Sequence, residues 1–262
     1  MKELISKQFG DEDKNEVLNL YEKYKLARDK EIPMFGNSFY TPNIWRWFEK
    51  NFINSSCKVE SNGVFEDSER RMISFNNVYN TSFPMKLLKI ENTSKFNELT
   101  HKDFLGGILA LGIERNKIGD LLVKDNVCYV PIHEDIESFL IFNIDKIGKS
   151  SCKIEILEKY DSLPQFNFKE EVILVSSLRI DGIVSKLANV SRGKAQMMID
   201  QGKVLVDYVK IRDKSYEPKE DERITIRGVG KFILGIIVGS SKSGRLKVSI
   251  KKYKIGRASC RE

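Results

Sequence analysis

The sequence predicts an α+β fold class in three parts, and three observations support it. Residues 1–75 place apolar side chains at the three- and four-residue spacing of helices. Residues 76–160 read as strands and helices in the order β-α-β-β-α-β. Residues 176–254 combine two short helices with short strands and hold 18 Lys and Arg against 8 Asp and Glu.

The N-terminal part is predicted to be mainly helical. Across Glu16–Ala27, Val17, Leu18, Leu20, Tyr21 and Tyr24 recur on one face, and Pro33 and Gly36 break the pattern. Thr41-Pro42 then reads as an N-cap with proline in the first helical position, opening a helix through Ile44, Trp45, Phe48 and Phe52. An aromatic stripe at helical spacing is core more often than binding platform, so Trp45 and Phe48 are assigned to the core. Asn62-Gly63 signals a turn, and Glu69-Arg70-Arg71 beyond it reads as exposed, either as an RNA-facing group or as a solvated helix end.

In the middle part, Phe83–Glu91 reads as a strand. Thr100 and Asp103 have the spacing of a capping box that opens the helix Phe104–Leu111, and Gly112 stops it. Asp120–Val123 and Val127–Val130 form a predicted hairpin, Asp135–Ile147 a second helix, and Cys152–Leu157 a closing strand. This order is the split-βαβ, ferredoxin-like arrangement. Such sheets bind RNA when exposed aromatics stack bases, and Tyr129 is the one candidate in the third strand. Residues 161–175 read as a linker.

The charge divides sharply along the chain. Of the 262 residues, with a net charge of +7, Met1–Val175 holds 24 basic against 28 acidic side chains, so the positive charge is concentrated in the C-terminal part. That imbalance is the electrostatic footprint of a polyanion binder. The predicted helix Leu178–Leu187 is followed by one at Arg192–Gln201, with Ser191 as its N-cap and Gly202 as its left-handed stop. A capped, cationic helix start offers backbone N–H groups, Arg192 and Lys194 to a phosphate. Gln196 has the chemistry to bond a sugar or base, and Ala195, Met198 and Ile199 form the buried face. Arg179 and Asp181 lie just upstream; a lone carboxylate beside an arginine is more often a charge-paired orienter than a catalyst. Lys203, Lys210, Arg227 and Lys231 punctuate the strands, and Arg227–Lys231 reads as a backbone-contact turn, since its Gly-x-Gly lacks a nucleotide loop's spacing and βα context.

Other chemistries find little support. Cys57, Cys128, Cys152 and Cys260 are scattered without a C-x-x-C pair, and only His101 and His133 could join them, so free thiols and no metal are expected. No nucleophile–base pair and no cofactor loop can be assembled, and no cofactor is expected. The longest apolar run, Phe104–Ile113, is too short to span a bilayer, and Met1–Ile5 runs into Asp11-Glu12-Asp13 without a signal-peptide core. A cytoplasmic monomer without membrane attachment is expected. Residues 255–262 resemble a translated sequencing-adapter oligonucleotide and are expected to be non-native, leaving Cys260 without a role.

Arg179-Ile180-Asp181, Ser191-Arg192-Gly193-Lys194-Ala195, Ile199 through Val206 with Gly202, and Ile224-Thr225-Ile226-Arg227-Gly228 together resemble the S4 RNA-binding domain. The pattern departs at Asp207-Tyr208, where such domains often carry Asn-Gly, and at Glu220-Asp221-Glu222, which replaces Gly-Asp. Leu99–Gly107 and Leu111–Asp120 are similar to the signature of the bacterial YlmH family, a resemblance that extends to Lys254. It implies a ferredoxin-like domain ahead of the S4 domain. It also implies a non-enzymatic RNA-binding role on rRNA of the large ribosomal subunit and peptidyl-tRNA, in rescue of stalled ribosomes, with a link to cell division in some bacteria. Two rivals accompany it. One is an rRNA-modifying enzyme, a pseudouridine synthase or methyltransferase, because such enzymes also carry S4 domains and Arg179-Ile180-Asp181 mimics a synthase motif. The other is a cell-division adaptor with secondary RNA binding. The RNA-contacting set under the main reading is Arg179, Asp181, Ser191, Arg192, Lys194, Gln196, Lys203, Lys210, Arg227 and Lys231.

Overall fold

The computed structural model describes residues 1–53, 56–94, 97–158, 160 and 163–253, so the tail expected to be non-native, with Cys260, lies outside the described residues. The chain divides into two compact units, Met1–Gln165 and Phe166–Glu262.

The first unit begins with helices α1 (Lys2–Gln8) and α2 (Asp11–Lys30). On α2, Val17, Leu20, Tyr24 and Ala27 are buried at the spacing the sequence predicts. A two-residue strand β1 (Met34–Phe35) precedes α3 (Pro42–Asn51), which starts on Thr41 with Pro42 in its first turn and buries Ile44, Trp45, Trp47 and Phe48. This region is less helical than predicted. Strands β2 (Val59–Asn62) and β3 (Met72–Phe75) join β1 in an antiparallel sheet, order β1-β3-β2. Glu69-Arg70-Arg71 is a further correction, because Glu69 is buried and its carbonyl accepts the Trp45 indole N–H at 2.8 Å. Asp120 accepts from the backbone N–H groups of Glu69 and Arg70, and the Arg71 guanidinium lies over the Trp45 ring while donating to the carbonyls of Ser68 and Glu66. These contacts tie the helical region to the chain around Asp120 in the middle part.

Strand β4 (Met85–Asn92) leads to α4 (His101–Leu109), where Asp103 accepts from the Thr100 N–H at 2.7 Å and its hydroxyl at 2.6 Å. Gly112, at φ 82°, ends that turn. Strands β5 (Leu122–Lys124) and β6 (Val127–His133) form the predicted hairpin. The second predicted helix is shorter than its apolar stripe: α5 covers Glu137–Asn143, and Ile147 instead sits in β7 (Lys146–Ile147), which turns back into β8 (Ser150–Leu157). The sheet order is β5-β6-β4-β8-β7 with every pair antiparallel. That is the split-βαβ topology with one added edge strand. Leu88, Ile90, Phe104, Ile108, Val130 and Leu140 fill the core between sheet and helices.

The second unit opens with a strand where the sequence predicted linker. β9 (Phe168–Val175) pairs along its whole length with β14, so residues 168–175 are an edge strand, not a tether. Helices α6 (Ile180–Leu187) and α7 (Arg192–Asp200) follow, then β10 (Val204–Val206), β11 (Val209–Lys210), β12 (Arg223–Ile226), β13 (Gly230–Ser240) and β14 (Leu246–Tyr253). The six strands lie in the order β11-β10-β12-β13-β14-β9, all antiparallel. Ile180, Ile183, Val184, Ala195 and Ile199 from the helices pack with Val204, Ile224, Ile226, Phe232 and Val248 from the sheet. No helix among the described residues is long and apolar enough to cross a membrane.

Candidate nucleic-acid interface

Both helices of the second unit end in the same reciprocal cap, and that fixes where their cationic side chains emerge. At the end of α6, Asn189 takes a left-handed φ of 52°, its N–H bonding to Lys186 and that of Val190 to Ser185. At the end of α7, Gly202 takes φ 65°, with its N–H on Ile199 and that of Lys203 on Met198. These are Schellman motifs, which turn the chain within two residues. The first delivers Ser191, whose hydroxyl accepts the Lys194 N–H at 3.3 Å, directly to the start of α7; the second delivers Lys203 to the start of β10.

Asp181 is the hub of the arrangement. It is fully buried, and its two oxygens accept Nε and Nη2 of Arg192, each at 3.0 Å, in a fork. Gln196 donates to it at 3.0 Å and Arg179 at 3.5 Å. Burial alone would raise this carboxyl, but the hydrogen bonds from Arg192, Gln196 and Arg179 and the Arg192 charge together hold it down at about 2. Hence Asp181, counted among the RNA contacts from sequence, cannot itself meet a ligand. It positions two guanidiniums and an amide, and the group remains net positive. Gln196 spends its amide N–H on Asp181, which leaves its carbonyl oxygen for a ligand. Arg192 keeps half of its side chain in solvent, with Nη1 outside the fork.

Lys194, Lys203, Lys210 and Arg227 are all exposed. The Arg227 N–H donates to the Lys203 carbonyl at 2.9 Å, bringing these two side chains to adjacent positions, and the Lys210 stem passes next to Gly202. Lys231 is half-buried; its ammonium lies 3.4 Å from the Tyr208 hydroxyl and over the Tyr208 and Tyr253 rings. Arg227–Lys231 is a tight turn between antiparallel strands, with Gly228 at φ 81°.

The departure at Asp207-Tyr208 preserves the hairpin. Both residues have positive φ, 44° and 71°, between paired Val206 and Val209, which is the two-residue turn that Asn-Gly ordinarily makes. Asp207 is buried, and its carboxylate accepts the Arg223 N–H at 2.9 Å while its own N–H donates to the Arg223 carbonyl. Sequence reading missed Tyr208 as a feature of the surface; a bulky side chain in a glycine position was the available signal. At the second departure, Glu222 accepts from the Tyr216 hydroxyl at 2.8 Å and the Lys219 N–H at 3.0 Å, closing the loop before β12.

In the first unit, Cys128 is buried, its thiol pushed up by burial, and no metal-holding group of His, Cys, Asp and Glu occurs among the described residues. Tyr129 lies beside Lys89 on the open face of the sheet, where Lys89 is paired with Glu155 and Glu91.

Residues 79–161 match a family described as "Putative RNA-binding domain in YlmH", and residues 178–224 match the S4 domain. The class is thus an S4-domain RNA-binding protein. The pairing of the two matched domains is similar to that of the YlmH family. The chain is 26% identical over 175 residues, 66% of this chain and 68% of the relative, to Ribosome-associated protein quality control protein P2 of Bacillus subtilis (strain 168). A solved structure of Cell division protein ylmH from Streptococcus pneumoniae aligns with a TM-score of 0.46 at 25% identity, covering 57% of this chain and 93% of that one.

Proposed function

We propose that the chain binds rRNA of the large ribosomal subunit, without catalysing a reaction, and works with peptidyl-tRNA in ribosome-associated quality control in the cytoplasm. The observation that carries this is the Asp181 hub, which aims Arg192, Arg179 and Gln196 from the α6–α7 pair of the unit that also exposes Lys194, Lys203, Lys210 and Arg227. Arg192 and Lys194 take phosphates at the α7 start, where free backbone N–H groups add their partial positive charge. Lys203, Lys210 and Arg227 take the neighbouring strand. Structured RNA is recognised mainly by shape and backbone, and a surface of fixed cations suits that. The name of the Bacillus subtilis relative supports the ribosomal assignment.

The buried Asp181, held by four hydrogen bonds from three side chains, counts against the synthase-like rival. A catalytic carboxylate must reach its substrate, and this one is closed off by its own partners. Co-sedimentation with purified large subunits tests the proposal. The chain is expected to pellet with them at low salt and be released as salt rises. Arg192→Ala with Lys194→Ala should stay in the supernatant, and unchanged pelleting would refute the site.

A further inference from the structure

Tyr208 occupies a backbone conformation that side chains avoid. At φ 71° it stands where the two-residue turn calls for glycine. Left-handed backbone disfavours a residue with a Cβ, and strain of this kind concentrates at functional positions. The ring is 37% exposed at the hairpin tip. Lys231 sits over it at 5.1 Å from the centroid and 3.4 Å from the hydroxyl, while exposed Val209 and Lys210 come next in the chain. Asp207 locks the turn from below through Arg223. An aromatic face is therefore held beside Lys231, with Lys210 two residues on, at the end of β10 opposite to Lys203 and Arg227. Two other aromatics lack that setting: exposed Phe142 lies on α5, which is preceded by Glu134 and Asp135 and begins at Glu137, and half-buried Tyr129 neighbours a lysine engaged by two glutamates.

We propose that Tyr208 is a stacking platform for one unpaired nucleobase of the bound RNA, with Lys231 taking the phosphate beside it. This rests on the reading of the second unit as an RNA grip and gives that grip a local preference for a bulge or loop. A ring stacks on any base, so the preference is for an unpaired nucleotide rather than for a sequence.

Two RNA stems of equal length test it, one fully paired and one carrying a single-nucleotide bulge with 2-aminopurine at the unpaired position. The full chain is expected to bind the bulged stem about tenfold more tightly and to quench the 2-aminopurine. Tyr208→Gly, which relieves the backbone strain and so keeps the fold, should lose that preference and the quenching while binding the paired stem as before. Tyr208→Phe should retain both. Retention of the preference by Tyr208→Gly, or an equal loss on both stems, overturns the platform. Weaker binding of both stems by Arg192→Ala with Lys194→Ala, beside an unaffected Tyr208→Gly, overturns the platform alone and leaves the grip standing. A chain that binds neither stem overturns both.

Discussion

Replacing Asp181 with asparagine should loosen the helix pair that carries the cations. The carboxylate holds the Arg192 fork at 3.0 Å, Gln196 at 3.0 Å and Arg179 at 3.5 Å from a fully buried position. An amide of the same shape keeps one acceptor oxygen but turns an NH2 toward a guanidinium and removes the charge. Breaking a buried pair costs about 3–5 kcal/mol, but Arg192 is half exposed and regains water, which lowers the cost to about 2–3 kcal/mol. The depression of the Asp181 pKa from 3.8 to about 2 by its hydrogen-bond donors corresponds to a similar size, about 2 kcal/mol. Because the chain has two compact units, the assay should be local. Native-state hydrogen exchange at the amides of α6 and α7 should speed up about thirtyfold. RNA affinity should fall with it, because Arg192 is no longer aimed. Exchange indistinguishable from the parent chain would refute the hub.

The same geometry sets three further outcomes. Asp181 has a depressed pKa, so its stabilisation is complete above about pH 4 and is lost as pH falls through about 2; acid titration of α6–α7 exchange should show this loss in the parent and not in Asp181→Asn. Lys203→Ala with Arg227→Ala should reduce the slope of log affinity against log salt by about 2, measured on a paired RNA stem, and an unchanged slope would remove both from the phosphate contacts. Tyr208→Gly relieves left-handed strain of about 1 kcal/mol but gives up the ring's partial burial and its contact with Lys231 and adds chain entropy to the unfolded state, so thermal unfolding should change little; a clear loss would mean that the ring holds the fold.

What the sequence made legible was local. Thr100 and Asp103 announced their helix because a capping box needs only residues three apart, and Ser191 and Gly202 bracketed α7 for the same reason. The split-βαβ order was readable because its strands alternate against one buried face. Strand β9 was hidden because Lys169, Glu170 and Glu171 read as linker, although charge is how an edge strand protects itself. β3 was hidden because all four of its residues are buried and so show no alternation. In α5, the stripe ran past the helix end because Ile147 is buried by a strand, not by a further turn of helix. The exposure of Lys194, Lys203, Lys210 and Arg227 followed from their charge and spacing. Asp181 read as a charge-paired orienter beside Arg179, but its bonds to Arg192 and Gln196 were not legible, since those partners lie 11 and 15 positions away and meet it only once α6 and α7 have packed.

The most direct measurement is a cryo-EM reconstruction of the full chain on the large ribosomal subunit. The expected map sets the start of α7, with Arg192 and Lys194, against rRNA backbone, with the turns at 207–208 and 227–231 on the same RNA surface. A well-ordered complex in which this face of the second unit points to solvent would contradict the central claim.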